Sequence, residues 1–218
     1  MLEKYKTVYE GGEGEIVEKK SRFIATVRPV KTEEEALAFI EEMKKKYWDA
    51  RHNCYAYSIG EHREFTRCSD DGEPSGTAGR PMLDVILGED IYNVAVVVTR
   101  YFGGVLLGTG GLVRAYSGAV QAGLGESTVI EKHHGISLAL TADYTAIGKL
   151  QYIAAENQLP VLDTEYTDKV IMHLLVPNDQ IGRIQKVITE ATSGRIKMEK
   201  EKELYFADVE GKIKVFDH

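Results

Sequence analysis

The 218-residue chain has little cysteine, little proline, a single tryptophan and no excess of basic charge. Two cysteines, Cys54 and Cys68, cannot make a disulfide framework, and they suit a reducing compartment. Five prolines among 218 residues exclude a proline-rich linker protein. No run approaches the ~18 apolar residues of a membrane-spanning helix. The first residues, MLEKYKTVYE, lack the apolar stretch of a secretory leader. A cytoplasmic location and no membrane partner are therefore expected. Lys and Arg total 27 against 34 Asp and Glu, a net charge of −7. That excludes a uniformly basic nucleic-acid coat but leaves room for a local basic groove.

What is plentiful is glycine. Of 21 glycines, 12 fall between Gly72 and Gly125, about a quarter of the chain. The hydrophobic fraction of 43% supports a real core, and the length allows one or two domains.

Periodicity outlines the elements. Phe23–Val27 is rich in strand formers, and Pro29 ends the run. Thr32 and Glu35 form a capping box before Ala36, Leu37, Phe39, Ile40, Met43 and Tyr47, whose spacing predicts an amphipathic helix. His52–Ile59 alternates as a strand: Asn53, Tyr55, Tyr57 and Ile59 on one face, His52, Cys54, Ala56 and Ser58 on the other. Asp70–Leu83 is dominated by turn formers, and Asn93–Thr99 reads as a central strand. Gly103–Gly111 is a glycine-rich loop, with a helix from Leu112. After Gly135 the order is strand, helix, strand, strand, helix, strand, the ferredoxin-like plan. His133 and His134 read as a solvated pair between the two parts. The expected domains are 1–135 and 136–218. Their net charges are −4 (17 basic, 21 acidic) and −3 (10 basic, 13 acidic), so neither is a charged tail.

The strongest local feature is RYFGGVLLGTGGLVRAYSGA, Arg100–Ala119, a strand that enters a glycine loop and then a helix. The start of such a helix offers unpaired N–H groups and partial positive charge. Gly108, Thr109, Gly110 and Gly111 would present them, with Arg80, Arg100 and Arg114 adding forked bonds to phosphate oxygens. Thr109 and Gly110 stand where a Walker A loop needs Lys and Ser/Thr, and no G-x-G-x-x-G is present. The alternative is that the glycines only admit close packing of helix on sheet.

Asp70, Asp71 and Glu73 are potential Mg²⁺ ligands or ordinary turn residues; without a second carboxylate cluster no metal site is assigned. Asp71, Glu73, Ser75 and Thr77 are read as ordering the loop. Cys54, Cys68, His52 and His62 lack paired zinc spacing. Neither Ser75 nor Thr77 lies in a G-x-S-x-G context. Tyr55, Tyr57, Tyr101 and Tyr116 could stack bases or sit half-buried in the core. No catalytic residue and no cofactor is assigned.

DDGEPSGTAGRPML, VVVTRYFGGVLLGTGGLVRAY and HNCYAY together resemble the signature of the IMPACT/YigZ family. The resemblance implies an α+β, two-domain chain. Its N-terminal domain would have the fold of a ribosomal-protein second domain, shared with GHMP kinases, and its C-terminal domain would be ferredoxin-like. Eukaryotic relatives are translational regulators that bind the activator of an initiation-factor kinase. Those relatives carry a further domain that is not expected in this chain, so that partner is not carried over. Three functions follow as expectations. The first is a binding module for RNA, the ribosome or a translation factor. The second is an enzyme acting on a small phosphorylated or anionic substrate through the glycine loop. The third is a protein-interaction adaptor docking through the C-terminal domain.

Overall fold

The computed structural model describes residues 1–216. The chain divides into two compact units: Tyr5–Ile130, and Met1–Lys4 together with the chain from Glu131 onward.

In the first unit, β2 (Glu13–Glu18), β3 (Ser21–Pro29), β4 (His52–Ile59), β5 (Phe65–Ser69) and β7 (Val94–Tyr101) form an antiparallel sheet in the order β2-β3-β7-β4-β5. β7 is central and buried along nearly its whole length, as its continuous apolar run requires. Strand alternation separates two cores. Val94, Val96 and Val98 face a cluster with Phe23, Ala25, Cys54 and Ala56. Ala95 and Val97 face another with Tyr57 and Ile59.

α1 (Glu33–Lys46) covers the second face with Phe39, Ile40 and Met43. Its start is set by the capping box: Glu35 N–H donates to Thr32 Oγ1 at 3.2 Å, and Glu35 Oε2 accepts from Lys31 N–H at 2.6 Å. α2 (Gly79–Gly88) and α3 (Thr109–Gly125) cover the first face, with Met82, Ile86, Leu112, Tyr116 and Val120 inward. Each fully buried aliphatic or aromatic side chain there contributes about 1.5–3 kcal/mol of transfer free energy. β1 (Lys4–Glu10) pairs in parallel with the short β6 (Ile91–Tyr92).

α2 departs from the reading of Asp70–Leu83 as turns. Pro81 sits in its first turn, where a missing N–H costs nothing. The helix cap comes from a side chain well back in sequence, described below.

The second unit follows the ferredoxin-like order: β8 (Thr128–Ala142), α4 (Ile147–Glu156), β9 (Val161–Tyr166), β10 (Val170–Pro177), α5 (Ile181–Thr192) and β11 (Lys197–Val209), with β12 (Lys212–Phe216) added at the edge. The sheet order is β9-β10-β8-β11-β12, all antiparallel. Leu138, Leu140, Met172 and Leu174 meet Leu150, Ile153, Ile184 and Ile188 of the helices. β8 begins earlier than its alternating pattern suggests, so His133 and His134 lie in a strand. His134 is buried, and its Nδ1 sits 2.7 Å from Asn178 Nδ2. Among the described residues no helix is long and apolar enough to cross a membrane.

Candidate functional site

Strand register decides what meets at one end of the five-stranded sheet. Arg100 pairs with Phe23 on one side and His52 on the other. The segment Asp70–Ala78 that leaves β5 and the loop that leaves β7 converge at this same end.

The first loop is organised by Asp70. Its carboxylate accepts from the N–H groups of Gly76 (2.8 Å), Ala78 (3.0 Å) and Gly79 (2.8 Å). It therefore caps α2, whose own N-cap residue Ala78 has no side chain to do so. Burial works against the Asp70 charge, but the three N–H bonds outweigh it and hold the carboxyl below its ordinary range. Asp71 ties the loop to β4, its carboxylate accepting from Asn53 N–H at 2.7 Å. Thr77 donates its hydroxyl to Pro74 O at 2.6 Å, and Ser75 is exposed.

Glu73 turns inward. Its Oε1 accepts from Arg100 Nη1 at 2.6 Å and from the Tyr116 hydroxyl at 2.7 Å. The Glu73 and Arg100 side chains are 3% and 7% exposed. Arg100 also lies against the rings of Phe23 and Phe102, and its Nε is buried with no hydrogen-bond partner. His52 Nδ1 is 2.9 Å from Asp71 O. A carbonyl only accepts, so Nδ1 carries the proton and Nε2 points toward Glu73 at 4.0 Å. Cys54 Sγ donates to Asp70 O at 3.0 Å, with the Tyr116 hydroxyl 3.4 Å away.

Burial pushes both the Cys54 thiol and the Tyr116 phenol up, so each keeps its proton. A thiol held protonated is a poor nucleophile. This cluster is a clamp between β4, β7, α3 and the first loop.

The expected arginine trio is thus dispersed. Arg100 is a buried cation committed to Glu73. Arg80 is exposed on α2, its Nε bonded to Asp84 at 2.8 Å. A guanidinium already engaged by a carboxylate is a weaker phosphate ligand than a free one. Arg114 differs from both: it is exposed and makes no side-chain hydrogen bond or ion pair among the described residues.

Arg114 lies in the opening of α3. Gly108, the N-cap, has φ 72° and ψ 168°, a left-handed φ that favours glycine. It supplies no capping side chain, and the first turn holds no acid. The first backbone bond of the helix runs from Leu112 N–H to Gly108 O at 3.0 Å. The N–H groups of Thr109, Gly110 and Gly111 precede it, uncapped by any side chain. A Cβ on Gly110 would meet only Arg114 Nη1, at 3.6 Å. The guanidinium therefore lies beside Gly110, in the first turn of the helix. Two like charges thus lie close together there, with no acid in the first turn of the helix.

Other glycines serve packing. A Cβ on Gly103 would lie 2.1 Å from the Lys20 carbonyl carbon, and one on Gly123 would lie 3.0 Å from Ala25 Cβ. The packing reading of the glycine excess holds at these positions. Of the four tyrosines considered for stacking, Tyr116 and Tyr57 are buried, while Tyr55 and Tyr101 are half-buried.

Two family models match the chain: the Impact N-terminal domain over residues 19–124, and a domain of unknown function, DUF1949, over residues 140–195. IMPACT family member YvyE of Bacillus subtilis (strain 168) is 44% identical over 195 residues, covering 89% of this chain and 90% of that protein. IMPACT family member YigZ of Escherichia coli (strain K12) is 32% identical over 182 residues, covering 83% and 89%. Protein IMPACT of Mus musculus is 38% identical over 98 residues, 43% of this chain and 30% of that protein. A crystal structure described only as a hypothetical protein matches with TM-score 0.59 and 29% identity, over 93% of this chain and 99% of the other. The long Asp70–Leu83 and Arg100–Ala119 motifs both fall within the first matched domain, and on this similarity the chain belongs to the IMPACT family.

Proposed function

We propose that this chain is a translation-linked binding protein whose N-terminal unit holds RNA by its phosphates, at the start of α3. The observation that carries this reading is the uncapped first turn of α3 with the unpaired guanidinium of Arg114 folded against Gly110. The clamp of Glu73, Arg100 and Tyr116 gives that turn a rigid floor: Tyr116 belongs to α3, and Arg100 is the penultimate residue of the strand that feeds the loop. Arg100 is thus a positioning residue. The IMPACT family connection supplies the link to translation, and ribosomal RNA is the phosphate source it favours.

The test is fluorescence anisotropy with a labelled 12-nucleotide RNA at low salt. Arg114→Ala is expected to weaken binding roughly tenfold, as loss of a charge-assisted contact does. Arg80→Ala, already paired with Asp84, is expected to change affinity less than twofold. Equal affinity in wild type and Arg114→Ala would overturn the placement.

A further inference from the structure

The end of the sheet that carries the α3 site gathers more cation than the loop alone. Arg22 pairs with Tyr101 across β3 and β7, so the Lys19–Lys20 turn reaches the level of Phe102 and Gly103. Lys20's backbone closes on Gly103, as the 2.1 Å approach to a hypothetical Cβ records. The segment between α1 and β4 arrives at the same end. The Tyr101 hydroxyl donates to Asp49 at 2.8 Å, and His52, next to Arg51, pairs with Arg100.

α3 joins them by its rise. Gly12 lies against Glu126, Gly14 against Ala122, and Gly118 against Ile16. Four helical residues, about 6 Å, match two strand residues, about 6.6 Å. One step further brings Arg114 level with the end of β2 and the Lys19–Lys20 turn.

The acids here are mostly engaged. Glu15 holds Arg22 with two bonds, Asp49 takes the Tyr101 hydroxyl, Asp70 and Asp71 take backbone N–H groups, and Glu73 takes Arg100. Glu18 is the exposed exception. By contrast Lys19, Lys20, Arg51 and Arg114 are exposed, and their side chains make no hydrogen bond or ion pair among the described residues. Beside them stand two exposed aromatics, Trp48 (82%) and Phe102 (47%). Large aromatics left in water next to unpaired cations are the pattern of a surface that takes up both bases and phosphates.

We propose that this sheet end is a platform for single-stranded RNA. The inference rests on the reading of the α3 start as a phosphate site and extends it from one anion to a track. Lys19, Lys20, Arg51 and Arg114 follow the backbone, while Trp48 and Phe102 offer faces to unpaired bases. A duplex keeps its bases stacked internally, so it engages the cations alone.

Trp48 is the chain's single tryptophan, so its emission reports this position. On titration with a 12-nucleotide single-stranded RNA, Trp48 fluorescence is expected to be quenched in parallel with anisotropy. Trp48→Leu is expected to weaken binding roughly fivefold or more, the effect of losing one stacked base. The triple variant Lys19→Asn/Lys20→Asn/Arg51→Ala is expected to weaken it by about tenfold or more, with single strands held more tightly than a 12-base-pair duplex in wild type. Asn is chosen because Lys19 and Lys20 have φ of 46° and 67°. RNA binding that is sensitive to Arg114→Ala, with Trp48 emission unmoved and both other variants at wild-type affinity, would overturn the platform and leave the α3 site standing. Absence of binding to any RNA would overturn both. A preference for the duplex, or equal affinity for polyglutamate, would overturn the single-strand assignment.

Discussion

Removing the Glu73 carboxylate tests the clamp beneath the α3 site. Glu73→Ala leaves Arg100 as a buried cation without its partner, and the Tyr116 hydroxyl without its acceptor. Arg100 has little recourse, because its side chain is 7% exposed and its Nε already lacks a bond. Breaking a buried ion pair by deleting one member costs about 3–5 kcal/mol. For a unit of this size, 1 kcal/mol moves the midpoint by roughly 3–5 °C, so the N-terminal transition is expected to fall by roughly 10–20 °C. The measurement is differential scanning calorimetry, with urea unfolding followed by circular dichroism as the check. The companion is Glu73→Ala/Arg100→Met, which removes the stranded charge and keeps most of the side-chain volume. It is expected to recover most of the loss, because an apolar replacement of a buried pair is often neutral. A loss below about 1 kcal/mol in Glu73→Ala, or a double variant whose loss is the sum of the two single ones, would refute the clamp.

Two glycine substitutions separate packing from binding. Gly103→Ala forces a Cβ against the Lys20 backbone and is expected to destabilise by about 1–3 kcal/mol in urea unfolding. Gly110→Ala meets only Arg114 Nη1, so it is expected to keep or raise stability, by up to about 1 kcal/mol, while lowering RNA affinity. Asp70→Asn is expected to lower stability by about 1–2 kcal/mol at neutral pH. Because the folded pKa of Asp70 is depressed, its contribution is present above the unfolded value near 3.8 and is lost as pH falls through the folded value; the two proteins should converge in acid. In the C-terminal unit, the hydrogen bond to Glu201 raises the pKa of His173 despite some burial, and Glu165 adds to it. That contribution is complete below about 6.5 and is lost as pH rises through the raised value. His173→Gln should flatten this decline in pH-dependent unfolding; an unchanged slope would show that another group causes it.

Locally encoded elements were legible in the sequence. α1 announces itself through Thr32, Glu35 and its apolar spacing, and β4 shows its two faces by alternation alone. The ferredoxin-like order came from the same kind of pattern. α2 was hidden because its cap, Asp70, lies nine residues before Gly79, a distance no capping rule scans. Gly79 and Pro81 then read as turn residues, although a helix start tolerates them. Of the candidate site, half was legible. The helix start with Gly108–Gly111 and Arg114 follows from the loop-to-helix motif. The fate of Arg100 does not: its partner is 27 residues away, and only the pairing of β7 with β4 brings the first loop over it. Trp48, Lys19, Lys20 and Arg51 belong to no motif. They become a group only when three turns meet at one end of the sheet.

The central claim concerns phosphate, and salt tests it most directly. Log affinity for a 12-nucleotide single-stranded RNA should fall linearly with log salt, with a slope of about −0.7 per phosphate contacted. Arg114→Ala should make that slope shallower by about 0.7, the signature of one lost phosphate contact. Identical slopes for wild type and Arg114→Ala, or an affinity indifferent to salt, would contradict the account.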